Sequence, residues 1–464
     1  WFEEARKSRH NPYYNYYHWW PAEKGEPPLR LSYFDEEGNA WTYNKPTDSY
    51  YLHYFSRKQP DLNWENPEVR QEIFDMMRFW FDKGIDGFRM DSISLIAKDP
   101  SFPLIDSKKY PDIFSFYAKE PRLHLYLHEM NRQVLSKYDC MSVGEGSAVM
   151  VDDVAKFVDP AREELNMLYH FDAARIRNTT LPDNPESGID YSLIALKKMF
   201  TEWDKAVDKG WPSIYLGNHD QPRMVSRFGS DKDEFRALSA KMLITFLLTM
   251  RGTPYWFAGD EIGMRNIRFD HIEDYNDIDT INRYKKAKAE GKDPQAVLDE
   301  QKETGRDNAR TPFQWDRSPE AGFTAGTPWL KVNPDYTWIN VADEEKDPTS
   351  ILNYFKKVVS FRKENPSLIY GSYHLLDAEN PQSYTFLRKT GADTYLIMLN
   401  FSHKAAISTP GIDMSNAHVL LDNYGDRSHM APQKDITLRP FEAIVFQLNH
   451  PVYESFIDSL DLLE

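Results

Sequence analysis

The stretch GIDGFRMDSISLI, residues 84–96, has the pattern of a buried β-strand that ends on a carboxylate, Asp91. Burying an unpaired charge is costly, so an acid that closes an apolar strand either lies exposed at the strand tip or is held there for chemistry. Arg89 stands two residues earlier and therefore shares a face with Asp91. A guanidinium in that position would keep the carboxylate ionised and hold its orientation.

The segment before this strand predicts a helix that leads directly into it. In ENPEVRQEIFDMMRFWFDKG, Asn66 is suited to cap the helix, Pro67 to occupy its first position and Gly84 to end it. Apolar side chains recur at helical spacing in between, namely Val69, Ile73, Met76 and Trp80.

The order of helix and then short apolar strand recurs downstream. HLYLHEMNRQVLSKY precedes CMSVGEG, YSLIALKKMFTEWDKAVDKG precedes PSIYLGNHD, and SAKMLITFLLTM precedes GTPYWFAGDE. Such alternation predicts an α/β fold with a parallel sheet, and strands that each end in polar residues are typical of a TIM (β/α)8 barrel. In that fold the residues at the C-terminal ends of the strands are the catalytic ones.

Three regions of the chain differ in residue composition and in the pattern of apolar residues. Residues 1–58 are dense in Trp, Tyr, Pro and Asn and predict a loop-rich domain, whereas residues 59–369 hold the alternating helices and strands. Residues 370–464 read as short alternating strands with turn signals, which predicts a C-terminal antiparallel β-sandwich. Residues 262–350 are long and polar for a loop, and such segments usually carry function or substructure of their own.

Charge and composition exclude several classes of function. The formal net charge is −16, which disfavours nucleic acid and anionic membranes as partners and suits a neutral small-molecule substrate. No apolar run reaches the length of a membrane span. The single cysteine, Cys140, excludes an intrachain disulfide framework and favours a reducing, cytoplasmic location. We expect no cofactor within this chain, and the oligomeric state stays open.

Acids close three of the predicted strands: Asp91 in GFRMDS, Glu145 in SVGEGS and Asp220 in GNHDQPR. Taken singly, each could equally be a rim salt bridge or a helix cap. Three in succession favour catalysis, because glycoside hydrolysis needs an ionised carboxylate and a second carboxyl of raised pKa. A third acid can stabilise an oxocarbenium-like transition state. His219 can donate to a sugar hydroxyl, although a lone histidine is more often structural.

Two further patterns are weaker. His124 and His128 stand four apart on a predicted helix, the spacing of a metal pair, but no third ligand is evident, so a helix surface is favoured and no metal site is expected. GEGSAV begins like a dinucleotide-binding loop and lacks the third glycine.

The motifs taken together resemble the alpha-amylase superfamily of retaining glycoside hydrolases, specifically its oligo-1,6-glucosidase and alpha-glucosidase branch. They are GFRMD, VGEG, GNHDQPRMVSRFG, KQPDLNWENPEVR, GDEIGM, RDNARTPFQWD and GFTAGTPWLKVNP, and they span nearly the whole chain. The resemblance implies a TIM barrel with a loop-rich domain inserted after its third strand and a β-domain at its C-terminus.

By motif, the resemblance implies that Asp91 is the nucleophile, Glu145 the general acid and then base, and Asp220 the transition-state stabiliser. It further implies that the first sugar subsite is built from Arg89, His219, Arg306, Arg310 and Phe55. Closure of that subsite around a non-reducing end implies exo-action.

This sequence departs from the family pattern at three places. Trp1-Phe2 resembles the stretch just after the third barrel strand, so we expect the first three strands, with a calcium- or magnesium-binding loop, to belong to a missing N-terminal segment. Five strands alone cannot close a barrel. Ser92 follows the nucleophile where the branch carries Val, Thr or Ala, which leaves bond preference open. Gly146-Ser147 after the acid predicts a wide acceptor side.

We therefore expect a retaining exo-alpha-glucosidase acting on short isomalto- or malto-oligosaccharides. The alternative within the family is a sucrose isomerase or transglucosylase, which the Arg-containing segment YHFDAARIRNTT, residues 169–180, supports. A non-catalytic homologue is a third possibility, but such proteins lose the catalytic acids, and here all three stand.

Overall fold

The computed structural model describes residues 1–34, 39–106, 108–110, 113–391, 393–415, 417–427 and 434–448. The chain forms two compact units. One comprises Trp1–Phe171, Ala206–Trp211 and Ile281–Lys292, and the other comprises Asp172–Lys205, Pro212–Thr280 and Asp293–Glu464. In the described ranges, every helix is too short or too polar to span a lipid bilayer.

The first unit opens with a small antiparallel sheet and continues with helices and parallel strands. Its elements are α1 (Phe2–Ala5), β1 (Trp19–Pro21), β2 (Trp41–Asn44), β3 (Ser49–Leu52), α2 (Pro67–Asp82), β4 (Gly87–Met90), α3 (Ile113–Tyr117), α4 (Arg122–Gln133), β5 (Met141–Glu145), α5 (Ala155–Val158) and β6 (Met167–Tyr169). The order in the small sheet is β1-β3-β2, and β4, β5 and β6 pair in parallel in that order.

Helix α2 confirms the predicted helix, with a different buried face from the predicted stripe. The Asn66 side chain accepts a 2.9 Å hydrogen bond from the Glu68 amide, and Gly84 adopts a φ of 95° just beyond the helix. Of the predicted stripe only Val69 is fully buried, while Met76 and Trp80 are 41% and 48% exposed. The buried face is completed by Phe74, Met77 and Phe81. The run MMRFWF offers two apolar stripes, and spacing alone cannot select between them.

The second unit combines helices, two short parallel strands and an antiparallel region. Its elements are α6 (Asp172–Thr179), α7 (Leu193–Ala206), β7 (Ser213–Ile214), α8 (Met224–Phe228), α9 (Arg236–Thr249), β8 (Thr253–Pro254), α10 (Ile278–Ala289), α11 (Pro294–Thr304), α12 (Val341–Glu344), α13 (Ile351–Glu364), α14 (Ser367–Tyr370), β9 (Ser372–Leu376), β10 (Ser383–Thr390), β11 (Asp393–Asn400), β12 (Ala406–Ser408), β13 (His418–Asp422), β14 (Ile436–Leu438) and β15 (Ala443–Leu448). The last residue of α7, Ala206, and residues 281–289 of α10 are assigned to the first unit.

The predicted C-terminal β-region consists of two antiparallel sheets. The larger has the order β13-β15-β11-β10-β9, and the smaller pairs β12 with β14. Leucine, isoleucine, methionine and phenylalanine side chains of both sheets pack into one buried cluster. The long segment 262–350 has the substructure expected for its length, since it contains α10, α11 and α12.

Two buried arginines hold the C-terminal end of α9. Arg362 donates hydrogen bonds of 2.8 Å to the carbonyls of Leu248 and Met250, and Arg388, fully buried on β10, donates to the carbonyl of Thr249. The last carbonyls of a helix have no intrahelical partner, so these guanidiniums complete the helix end.

Candidate active site

The strand ends of the first unit bring two of the predicted acids together. Strands β4 and β5 pair in parallel with Met90 opposite Gly144, so Asp91 and Glu145 each stand at the C-terminal end of neighbouring strands. The alternation of helix and strand in the sequence produces this arrangement, because parallel strands end at the same edge of a sheet.

Arg89 links both acids. Its guanidinium pairs with the Asp91 carboxylate and donates a 2.8 Å hydrogen bond to Glu145 Oε2. It also donates to the hydroxyl of Tyr169 and lies 5.5 Å from the centre of that ring. The predicted pairing of Arg89 with Asp91 is therefore present, and the same guanidinium serves a second carboxylate as well.

The two carboxyl groups stand in unlike surroundings. The Asp91 side chain is 74% exposed, whereas that of Glu145 is 9% exposed. Burial raises the pKa of Glu145, and a hydrogen bond with Asp91 raises it further, against the opposing effects of the Ser92 amide and Arg89. One carboxyl group can thus hold a proton while its neighbour is solvated, which is the division of roles that glycoside hydrolysis requires.

Ser92 and Ser147 each donate a hydrogen bond to the carboxyl group of Glu145. The Ser92 amide donates to Glu145 Oε2 at 3.0 Å, from a left-handed backbone conformation with φ of 44°. The Ser147 hydroxyl donates to the other carboxyl oxygen at 3.3 Å. In this structure Ser92 therefore acts on the acid through its backbone, a contact that its side-chain type does not reveal.

Tyr169, which ends strand β6, was not predicted from the sequence. Tyr169 stands opposite Glu145 in the parallel register, and burial raises the pKa of its hydroxyl, which therefore stays protonated. The only sequence signal is its place at the end of the short apolar run MLY.

The third predicted acid belongs to a separate cluster in the second unit. Asp220 follows β7 in a turn where its amide donates to Asn218 Oδ1 at 2.8 Å. Its carboxylate accepts from Arg306 at 3.2 Å and from Arg310 at 2.8 Å, and its other oxygen lies 3.1 Å from His219 Nε2. Three of the predicted residues of this unit, His219, Arg306 and Arg310, therefore all contact the fourth, Asp220.

The protonation state of Asp220 follows from these contacts. Burial alone would raise the pKa of Asp220, but the hydrogen bond from His219 and the charges of Arg306 and Arg310 lower it to about 2. Arg310 is held in place from a second side, since its Nε donates to the His219 carbonyl at 2.8 Å. Asp220 is thus a permanently ionised carboxylate near neutral pH.

A buried acid behind this cluster, Asp277, was not identified from the sequence. Asp277 is 3% exposed and accepts from Arg306 Nε at 2.9 Å, while Thr280 donates to its second oxygen at 2.9 Å. Asp307 in turn accepts the amide of Asp277 at 2.8 Å. These bonds fix the guanidinium that contacts Asp220, and no local motif signals a partner 29 residues away in the chain.

The remaining predicted residues lie elsewhere. Phe55 stacks on Phe114 with ring centres 6.4 Å apart and also contacts Phe34, so it belongs to an aromatic cluster of the first unit. His124 is occupied by Glu164, whose carboxylate lies 2.8 Å from Nδ1, and His128 Nδ1 lies 3.1 Å from the Arg162 carbonyl. The two histidines thus have protein partners of their own.

Comparison with known proteins identifies the family. Residues 1–371 match the family described as alpha amylase, catalytic domain. The chain is 47% identical to the oligo-1,6-glucosidase of Parageobacillus thermoglucosidasius over 462 residues, which cover 97% of this chain and 81% of that protein. It is 44% identical to the oligo-1,6-glucosidase of Bacillus cereus over 458 residues, 97% of this chain and 80% of that protein.

Solved structures agree with this result. A variant of the trehalulose synthase MutB in complex with Tris matches with a TM-score of 0.90 at 38% identity, covering 97% of this chain and 81% of that one. An isomaltulose synthase mutant from Erwinia rhapontici NX5 in complex with sucrose, its natural substrate, matches with a TM-score of 0.88 at 38% identity, covering 97% and 80%. The predicted TIM barrel with a C-terminal antiparallel sheet domain is confirmed at this level. The chain belongs to the alpha-amylase family of glycoside hydrolases.

Proposed function

We propose that this protein is a retaining exo-alpha-glucosidase that removes terminal glucose from short α-linked oligosaccharides. The observation that carries the proposal is the pair Asp91 and Glu145 on neighbouring strand ends, one exposed and bound to Arg89, the other buried with a raised pKa. Glycosidases need this division between an ionised nucleophile and a protonated acid.

The reaction proceeds by double displacement. An Asp91 oxygen attacks the anomeric carbon while Glu145 gives its proton to the departing glycosidic oxygen, which leaves a β-glucosyl ester on Asp91. Glu145, now a carboxylate, takes a proton from water, and the resulting hydroxide attacks the same carbon and releases Asp91. Two inversions return the product in the α configuration.

Asp220 is assigned to stabilise the positive charge of the oxocarbenium-like transition state, since its lowered pKa keeps it ionised throughout. Arg306, Arg310 and His219 hold that carboxylate and donate to hydroxyls of the terminal sugar. Through the family resemblance, Arg89 and Phe55 are assigned to the first sugar subsite, and Ser92 to substrate binding with an effect on bond preference.

The substrate class follows from the relatives. Two relatives, at 47% and 44% identity, are named oligo-1,6-glucosidase, so isomalto-oligosaccharides are the first substrates to test and malto-oligosaccharides the second. The ratio of kcat/KM for isomaltose and maltose measures the preference that Ser92 leaves open.

The decisive test replaces Asp91 with Asn. Turnover of an aryl α-glucoside should fall by about 10⁴-fold or more, because the ester intermediate cannot form. The matched control is Asp86→Asn, an exposed aspartate just before the same strand, which should keep full activity. Labelling of Asp91 by 5-fluoro-α-glucosyl fluoride would identify the ester directly. Unchanged turnover by Asp91→Asn would disprove the assignment.

A second candidate function is sucrose isomerisation, in which the released fructose rather than water attacks the glucosyl ester. The likeness to the isomaltulose synthase supports it. In the segment predicted to favour this reaction, Arg177 is tied to Asp190 and to the Arg227 carbonyl, whereas Arg175 is 46% exposed and contacts Asp172. Glucose and fructose from sucrose would support hydrolysis, and an isomeric disaccharide would support isomerisation.

We also propose that further strands complete the barrel against β4, which lies at one edge of its sheet in the described part of the chain. On the adjacent helix α2, the side chains of Met76, Phe79 and Trp80 are 41%, 54% and 48% exposed, an apolar surface that suits a covering element. The 464-residue chain should therefore bind the dye ANS more strongly than a longer form of the protein. Equal binding by the two forms would contradict this proposal.

A further inference from the structure

An aromatic surface lines a cavity in the second unit. The cavity has a volume of about 460 Å³, and Phe257, Phe323 and Trp329 contribute rings to its wall. We call these three residues the aromatic platform. His219 and Arg310, which both contact Asp220, line the same cavity. The platform is therefore continuous with the residues assigned to the terminal sugar.

Trp329 is exposed and yet held in place. It is 60% exposed and shares the cavity wall with two other aromatic rings, and exposed apolar side chains grouped in one patch are typical of a binding site. Its indole N–H donates a 2.8 Å hydrogen bond to the backbone carbonyl of Arg310, and its own carbonyl accepts from the side chain of Asn276. The ring is thus fixed to the same residue whose guanidinium binds Asp220, without being buried by the protein.

The other two rings are fixed as well. Phe323 packs edge-on against Trp329 with ring centres 5.1 Å apart. It follows a turn in which Glu320, Ala321 and Gly322 all have φ between 53° and 67°, a left-handed run that is strained for the first two residues. The buried guanidinium of Arg223 lies 5.1 Å from the centre of the Phe257 ring.

We propose that the aromatic platform binds the aglycone of the substrate, as a subsite for a ring with an apolar face. The inference rests on the proposed function and extends it to the leaving-group side. Exposed aromatic rings that are already immobilised lose little entropy when they bind, and they offer flat apolar area to a flat partner. Two kinds of aglycone share this chemistry: the C–H face of a second sugar, and an aryl group.

The test compares three substrates in Trp329→Ala. Isomaltose carries a sugar aglycone, p-nitrophenyl α-glucoside carries an aryl one, and α-glucosyl fluoride leaves without any ring. We expect kcat/KM for at least one ring-bearing substrate to fall about tenfold relative to the fluoride, the size of one aromatic contact. A fall for isomaltose alone identifies the sugar face as the ligand, and a fall for the aryl glucoside alone identifies the aryl group.

Two variants keep the test sharp. Trp329→Phe retains a ring and should recover most of the ratio, while Tyr370→Ala, which removes an aromatic side chain 66% exposed elsewhere in this unit, should leave it unchanged. Equal losses on all three substrates by Trp329→Ala would overturn the proposal, and so would no loss on any. Failure of the native protein to hydrolyse α-glucosyl fluoride would instead count against the proposed function.

Discussion

At strands β4 and β5 one guanidinium, Arg89, serves two carboxyl groups, whereas after β7 a single carboxylate, Asp220, is contacted by two guanidiniums and an imidazole. The pKa of Glu145 is raised in the first cluster and that of Asp220 is lowered to about 2 in the second. Both acids are largely buried, so burial alone does not decide protonation. The partners decide it: a hydrogen bond with Asp91 raises the pKa of Glu145, whereas His219 and two guanidiniums lower that of Asp220.

The largest effect we expect comes from Glu145→Gln, which removes the proposed proton donor of the cluster that contains a single guanidinium. Hydrolysis of isomaltose should slow by about 10²–10⁴-fold, because its leaving alcohol needs protonation. A 2,4-dinitrophenyl α-glucoside needs no such help and should be cleaved to the ester step nearly as fast as by the native enzyme. Burst kinetics on the two substrates measure this difference.

The exposed Glu163→Gln serves as the control and should behave as the native enzyme on both substrates. Equal slowing of both by Glu145→Gln would mean that Glu145 does not act as the acid, and that the contrast between the clusters has another role.

The next largest effect is expected from Asp277→Asn, which tests the cluster around Asp220. The change leaves Arg306 with one anionic partner fewer, so its guanidinium is less firmly directed at Asp220. We expect kcat to fall by up to about 10²-fold with a smaller change in KM, since misplacement of a charge affects the transition state most. Asp299→Asn on the exposed face of α11 is the control. A stability loss in thermal unfolding without a change in kcat would refute the positioning role.

Arg310→Gln should make the charge balance around Asp220 more like that around Asp91 and Glu145. With one guanidinium removed, the pKa of Asp220 rises from about 2, and the carboxylate is protonated at a higher pH. Because a lowered folded-state pKa stabilises the fold above the unfolded pKa and loses that effect as pH falls, the variant should be less stable near neutral pH and should lose less stability on acidification. Its activity should be lost at a higher pH, where Asp220 becomes protonated. The acid limb of kcat/KM against pH and acid unfolding both report the shift. An unmoved acid limb would contradict this account.

The smallest effect is expected from Ser147→Ala, which removes the 3.3 Å hydrogen bond to Glu145 Oε1. Losing a donor disfavours the carboxylate form, so the pKa of Glu145 should rise and the alkaline limb of kcat/KM should move to higher pH. Activity at the optimum should stay within about twofold of native. A shift to lower pH would show that the hydroxyl accepts rather than donates.

How far the sequence predicted these clusters depends on the range of the contacts. Asp91, Glu145 and Asp220 were predicted because helix–strand periodicity places strand ends at one edge, a rule that needs only local pattern. Arg89 was found for the same reason, being two residues from Asp91. Asp277 was missed because its role comes from packing against Arg306, a contact between loops that no spacing encodes.

The sequence was also insufficient to predict which side of a helix is buried. The boundaries of α2 followed from its cap and its terminating glycine, but its buried side did not, since apolar residues lie on both sides of the helix. The aromatic platform was not predicted either, because the sequence does not distinguish an exposed tryptophan from one buried in a core.

The arginines that complete helix α9 have a consequence for how the protein can be shortened. Arg388 belongs to β10, so a truncation that removed the C-terminal sheets would also remove the donor to the Thr249 carbonyl and leave that buried acceptor without a partner. Because these guanidiniums are held by carbonyl dipoles rather than by carboxylates, added salt should not loosen the attachment as it loosens surface ion pairs. The C-terminal β-sheets therefore help to stabilise the end of helix α9. Removing them would destabilise this earlier part of the chain.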